Sequence, residues 1–575
     1  MPANSHRERD QHILGKLAPA EWDSVALGLL ACTAILVLAV PVFPTQDGPV
    51  HLYYVDILRD LLRHSGPFAQ HFEIKRFLTP YVLEYYSLLG LETVFSATFS
   101  EKLLICVYIF AFGLGFRYLV ESVAERNNPW TLVAIPYCMN LMLYTGFLNY
   151  CVGVALVLFL LGFWIRYWRQ LCARRITTLL VCFTLLLFTH PVPAAVFLLA
   201  IGVHFGVDLA LASAADLGLW VSCLRERWRP LAMIAFMAGT SAVWVSMFID
   251  PSQQPSSAAS KIALYGRKIT HYDWIHKLTT ALNLSGITPF TWPTYRLGLA
   301  LPLAISGLAC LAGVWKHRGH VSSSAIALIT ASAICFILYC FAPYAINGIN
   351  GSSLFSDRFA IFWIVFFAAA AAALHPPSRW SFAAGVIAFC VTGALLSVQW
   401  VNISKIARDI TPVLQATPAE AGSIGLIISA DNVDSANLNF HPFRWSGAHY
   451  FRRSKAVMAN TPWMDSPIIM IRPVYADRWS YLEPSTARSS LLTAMDNGDA
   501  VSELSLFVVN GASDPGMEEI ISHFHWAPLT PSNGEVTIFA RHPLPATVPG
   551  LHPPDEPGVF HLFVVSRTDG AGRRR

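Results

Sequence analysis

The side chains able to do chemistry are sparse in the first 400 residues of this 575-residue chain, and they sit where long apolar runs end. Asp47 and His51 follow the first such run in PTQDGPVH, a carboxylate and an imidazole one helical turn apart, the residue types of proton transfer. Asp56 is the next acid in that stretch, and Lys75 and Arg76 are cations further along the same loop. Asn149 lies in TGFLNY and His190 in THPVP. Asn347, Asn350, Asp357 and Arg358 fall in APYAINGINGSSLFSDRF. Each has an ordinary explanation when taken alone. Asp47 before Gly48-Pro49 is a common turn residue, His190 before Pro191 can cap a helix, and Asp357-Arg358 reads as an N-cap followed by an interfacial anchor. What sets them apart is that the topology argued next places them on one face.

The elements that must position them are membrane spans. Only 13% of residues are charged, against about 25% in soluble proteins, and the depletion is confined to residues 1–400. A lipid-facing segment must satisfy its own backbone and exclude unpaired charge, so this part is expected to be helical and multi-pass. About 20 apolar residues are needed per crossing. The runs Ser24–Phe43, Lys102–Val120, Trp130–Thr145, Tyr150–Ile165, Thr177–Thr189, Val192–Ala212, Leu231–Ile249, Leu297–Trp315, Ser323–Phe341, Phe359–Leu374 and Ser381–Trp400 give about eleven transmembrane helices. The first run lacks a small-x-small cleavage site and reads as an uncleaved anchor.

Loop arginines and lysines favour the cytoplasm. Counting from a cytoplasmic N-terminus puts RYWRQLCARR (166–175), RERWR (225–229), Lys316–His320 and Arg379 inside. The count closes if Thr79–Ser96 does not cross, and the polar residues at the span ends then lie mostly outside. The first outer loop, 44–99, is long, and its segment His51–His64 is amphipathic. Asp56, Arg59, Asp60 and Arg63 share one face, so it is expected to lie flat at the headgroups. The loop Asp250–Tyr295 carries a basic-aromatic patch of Lys261, Arg267, Lys268, His271, Tyr272, Trp274 and His276, either a headgroup contact or a plain cap.

From Val401 the composition turns ordinary. SIGLIIS (423–429), PIIMI (467–471), LSLFVV (504–509) and Val536–Ala540 read as strands and Pro515–Phe524 as a helix, giving an α/β soluble domain over 401–545. A tail, 546–575, reads as disordered. His441, Trp445 and His449 form a His/aromatic cluster that suits a sugar, a metal or a plain core loop. All eleven cysteines lie between Cys32 and Cys390 with no zinc spacing, so neither a disulfide scaffold nor structural zinc is expected. A net charge of +4 without a basic run gives no reason to expect nucleic acid as a partner.

Several of these stretches resemble the GT-C class of integral-membrane glycosyltransferases, which use polyprenyl-phosphate sugars. The similarity is carried by Asp47 after the first span, an interfacial helix, the Pro-aromatic stretch Thr79-Pro80-Tyr81 to Tyr85-Tyr86, and Phe95–Ser100 with Glu101 entering the second span. The hairpin Gly146-Phe147-Leu148-Asn149 and Asp357-Arg358-Phe359 extend it. Many members carry two adjacent acids in the first outer loop, whereas here Gly48 follows Asp47.

The resemblance implies a transferase of the bacterial cell (inner) membrane, with its N-terminus cytoplasmic and its C-terminal domain periplasmic. A polyprenyl-phosphate sugar would be the donor and a glycan, lipid or protein the acceptor, among membrane lipids. It implies Asp47, with His51, near the acceptor hydroxyl, and Arg358 near the phosphate with Lys75 and Arg76 as second choices. Asp357, Asp56, His190 and Asn149 complete the expected substrate-binding set. A divalent metal stays possible, with no other cofactor expected. The competing reading is a non-enzymatic glycan-lipid translocator, or a scaffold with a sensory outer domain; ion-coupled transport is disfavoured because the spans hold little charge, Asp208 excepted.

Overall fold

The computed structural model describes residues 19–124, 128–213, 224–247, 269–270, 274–316, 321–343, 345–346, 354–374, 379–415, 418, 421, 424–429, 438–458, 470–473, 506–510, 526–528, 536–541 and 563–564. Among them, eight helices are long and apolar enough to cross a membrane: Trp22–Ala39, Ala97–Val123, Leu148–Gln170, Pro191–Ala212, Pro293–Trp315, Ser323–Phe341, Ser356–Leu374 and Phe382–Gln415. The chain is therefore a helical polytopic membrane protein.

In chain order the helices are α1 (Pro19–Ala39), α2 (Gly48–Leu62), α3 (Val82–Leu91), α4 (Ala97–Val123), α5 (Leu141–Tyr144), α6 (Leu148–Tyr167), α7 (Ala173–Thr189) and α8 (Pro191–Ser213). They continue with α9 (Trp228–Ser246), α10 (Trp274–Leu282), α11 (Pro293–Lys316), α12 (Ser323–Phe341), α13 (Ala360–Leu374), α14 (Arg379–Gln415) and α15 (Ala448–Ser454).

Of the eleven expected spans, one is corrected and two lie in helices that are not among these eight. Trp130–Thr145 is not a helix but two 3-10 turns, Pro129–Leu132 and Ile135–Tyr137, followed by the single turn α5. Pro136 removes a backbone donor and blocks a regular helix. The segment is buried throughout, so protein groups must satisfy its backbone. Asn140 does part of this, its Nδ2 donating to Tyr137 O (3.1 Å) and its Oδ1 accepting from Leu143 N (3.2 Å), while Tyr108 Oη donates to Cys138 O (2.9 Å). The run Thr177–Thr189 belongs to α7, whose 17 residues reach only about 26 Å and begin with Arg174 and Arg175. The run Leu231–Ile249 falls in α9 as far as the described residues reach; α9 opens on Trp228-Arg229-Pro230, contains Gly239-Thr240-Ser241 and is not among the eight. The stretch Thr79–Ser96 holds α3, ten residues and about 15 Å, too short to cross.

The chain divides into two compact units. The first comprises Met1–Val37, Ile105–Leu143 and Leu148–Trp400. Its packing centres on α12, which lies against α13 and α8. The run Ala368–Ala372 of α13 is buried throughout and lets helices approach closely. At one end, Asp23 pairs with Arg117 (2.7 Å), and Gly162 of α6 packs on Leu119 of α4. Asp208, the charge expected near the end of its span, takes Arg169 on one oxygen and Arg227 on the other (3.1 Å). Two basic connections thus meet at one carboxylate.

The second unit comprises Leu38–Leu104, Tyr144–Phe147 and Val401–Arg575. Its central helix is α2, and this differs from the expected surface helix: all residues but Arg59 and Leu62 are buried. The charged face is covered because α15 packs on it and supplies cations. Asp56 meets Arg59 (2.7 Å), Lys455 (3.8 Å) and Arg452 (3.9 Å). On the same side of the helix, Tyr53 donates to Ala456 O (3.1 Å) and accepts from Met458 N (2.9 Å). In the first unit the short strands β2 (Ile269–Thr270) and β3 (Ala345–Ile346) pair antiparallel, and in the second β1 (Phe72–Ile74) pairs antiparallel with β6 (Ile471–Pro473). A further sheet runs β10 (Phe563–Val564), β9 (Val536–Arg541), β7 (Leu506–Asn510), β4 (Ile424–Ser429), β5 (Val457–Met458), with β8 (Trp526–Pro528) on β9. The pairs β4–β7 and β4–β5 are parallel. The helix expected at 515–524, the tail, Asn347, Asn350 and most of the 261–272 patch lie outside the described residues.

Candidate functional site

The sequence-predicted residues fall into two clusters, one in each unit. In the second unit, Asp47 caps α2 and is 2% exposed. Its turn is held from two directions. Gln46 N donates to Tyr144 O (2.8 Å) and Asp47 N to Thr145 O (3.1 Å). Gly146, at φ +91°, fits where a Cβ would come within 2.7 Å of Gly48 N and 2.8 Å of Asp47 N. Only glycine suits both the backbone angle and that approach. Gln46 Nε2 donates to Asp47 Oδ1 (3.2 Å), while its Oε1 accepts from His441 N (3.0 Å). A side chain at Gly48 would collide with Thr45 Oγ1 and with the Glu101 carboxylate, which accepts from Thr45 Oγ1 at 3.0 Å. Glu101 is a buried acid of this cluster that the sequence reading did not select.

His51 lies one turn along α2, with Nδ1 3.0 Å from Tyr85 Oη. Burial draws its pKa down to about 4, so the imidazole is neutral at pH 7. Tyr54 and Tyr85 are raised, first by burial and also by nearby Asp47. With Leu58, Met470 and Ile471 they line a small apolar cleft. Asp56 is not beside Asp47; nine residues of helix separate them by about 13 Å, and its ion pairs hold α2 to α15. Lys75 and Arg76 are half-exposed and exposed, and both backbone N–H groups donate to Met470 O (2.7 and 3.3 Å).

In the first unit, Tyr150 joins three of the predicted residues. Its hydroxyl donates to the Arg358 carbonyl, its ring meets His190 edge-on at 5.5 Å, and its amide is held by the preceding Asn149 Oδ1 (2.6 Å). His190 accepts from Val192 N at Nδ1 (3.1 Å), the capping role open to it from sequence. Burial and then the Arg358 charge push its pKa well down. Arg358 is 6% exposed, on the 3-10 turn Ser356–Phe359. The adjacent Asp357 pairs with Lys277 Nζ at 2.7 Å, and that ammonium also lies 4.9 Å from the Tyr339 ring centre. Lys277 was not selected from sequence, though one signal was present: in WIHKLTTAL a lone lysine takes the buried face while Ile275, Leu278 and Leu282 are exposed. Two cations and one carboxylate leave this cluster net positive, which suits an anion.

Among the described residues, no group of three or more His, Cys, Asp or Glu side chains is placed to hold a metal ion. No protein-family model, curated protein or solved structure matches the chain.

Proposed function

We propose that the protein is a membrane glycosyltransferase of the GT-C type, moving a sugar from a polyprenyl-phosphate donor to a hydroxyl of a glycan, lipid or protein acceptor on the outer face of the bacterial cell membrane. The observation that carries this reading is the clamp on Asp47. The hairpin at Gly146 and the acid of the first loop are separate motifs of the resemblance, about 100 residues apart in the chain, and they are hydrogen-bonded into one rigid turn. A carboxylate fixed in this way is preorganised for proton transfer. The sheet of the second unit is read as the core of an outer-face α/β domain.

In this reaction Asp47 takes the acceptor hydroxyl proton as that oxygen bonds to the anomeric carbon. The bond from that carbon to the phosphate oxygen breaks, and its electron pair leaves with the phosphate. The departing phosphate calls for a cation, and Arg358 is the residue that the resemblance implies for it. His51, neutral and held by Tyr85, orients groups around Asp47 without adding charge.

The test is transfer of labelled sugar from native polyprenyl-phosphate donors by purified protein in lipid. Asp47→Asn should lower turnover at least about 100-fold with an unchanged thermal midpoint, and Arg358→Ala should also abolish it. Full transfer by both folded variants would overturn these roles. No transfer by folded wild type, across donors and acceptors, would favour the translocator or scaffold.

A further inference from the structure

In the second unit, unpartnered buried polar atoms gather around one guanidinium. Arg452 acts electrostatically on His449, Glu92 and Glu101. His449 is 1% exposed, and among the described residues neither of its ring nitrogens has a hydrogen-bond partner. The same holds for Glu101 Oε2, Glu92 Oε1 and Arg452 Nε. Buried polar atoms in native proteins are paired with few exceptions, and a concentration of exceptions marks a place where something polar binds. Arg59, Arg452 and Lys455 are partly exposed, at 22%, 15% and 35%, so the cluster opens to solvent on their side.

The chemistry narrows the ligand. Four carboxylates (Asp56, Asp60, Glu92, Glu101) face four cations (Arg59, Lys102, Arg452, Lys455), a balance that favours a neutral ligand over an ion of either sign. A metal ion cannot accept a hydrogen bond from Arg452 Nε. The ligand must accept from a guanidinium and donate to carboxylates at once, and a hydroxyl does both. A neutral imidazole can take either role, and burial with the nearby Arg452 charge lowers its pKa to about 3.

We infer that His449, Arg452, Glu92 and Glu101 form a binding site for a neutral polyhydroxyl ligand, a sugar ring. It rests on the proposed function only in making that sugar part of a substrate. The site adjoins the Asp47 turn through Glu101 but differs in its demands: Asp47 needs one hydroxyl, whereas this cluster reads several.

The experiment uses the full chain in nanodiscs, with methyl α-glucopyranoside, methyl α-mannopyranoside, methyl α-galactopyranoside, methyl arabinofuranoside and myo-inositol as probes, and saturation-transfer NMR as readout. At least one probe should bind wild type, with its signal reduced fivefold or more in His449→Phe. The thermal midpoint of that variant should hold or rise, because an unpartnered buried imidazole is removed. Glu101→Gln should lose the same signal and decides the matter if His449→Phe does not fold. Absence of every probe from wild type would overturn the inference and leave ordered water as the partner, as would binding that survives in both variants. No donor is present, so the outcome is independent of transfer: binding without transfer would sink the proposed function alone.

Discussion

Buried histidines give the protein an acid sensitivity that can be worked out residue by residue. His51 and His449 have folded pKa values of about 4 and about 3, both below the ordinary 6.5, and burial is the leading cause. A lowered histidine pKa means that the unfolded chain binds the extra proton. The two add nothing above pH 6.5, and stability falls as pH drops from 6.5 toward 4, by about 1.4 kcal/mol per unit for each. Glu92, raised chiefly by burial, works in the opposite sense as pH falls from its raised pKa to the ordinary 4.5. The clean observable is therefore a difference: the drop in thermal midpoint from pH 7 to pH 5 should be smaller in His449→Phe than in wild type. Equal drops would show that His449 is not held neutral.

At the scale of elements, α10 is attached by a charge it could not otherwise bury. Lys277 is 3% exposed and Asp357 is 6% exposed, while Ile275, Leu278 and Leu282 face outward. Breaking a buried pair strands a charge, typically at about 3–5 kcal/mol, whereas removing both partners together costs far less. Lys277→Met should therefore lower the thermal midpoint strongly, and Lys277→Met with Asp357→Asn should recover most of it. Additive losses would mean that the pair is solvated. The helix expected at Trp130–Thr145 fails at this same scale. Its apolar run was legible, but Pro136 and the Asn140 hydrogen bonds, which a hydropathy window does not weigh, fix an irregular buried path.

At the scale of the whole molecule, the proposed orientation rests on the basic connections. Arg169 and Arg227 meet at Asp208, and Asp23 at the start of α1 meets Arg117 at the end of α4. Asp47 follows the opposite end of α1. Cys172, between Arg169 and Arg175, is exposed, and a hydrogen bond from the Arg175 backbone heads the causes that lower its thiol pKa and keep it reactive. With Cys172 as the single cysteine, a membrane-impermeant maleimide should label only after cells are permeabilised. Labelling of intact cells would invert the topology and move Asp47 to the cytoplasmic face.

The sequence by itself determined the membrane class, eight of the spans, and the position of the polar candidates at span ends. Apolar run length is a local quantity, and crossing the hydrocarbon demands little else. Asp47, His51, Asn149, His190 and Arg358 were legible because a polar side chain beside an apolar run stands out. Partnership was decided only by tertiary structure. Asp56 serves ion pairs with Arg452 and Lys455, Asp357 takes Lys277 from 80 residues away, and Glu101 reaches Thr45 beside the Asp47 turn. Compensation of a buried charge depends on which distant segments pack together, and no window along the chain contains that information.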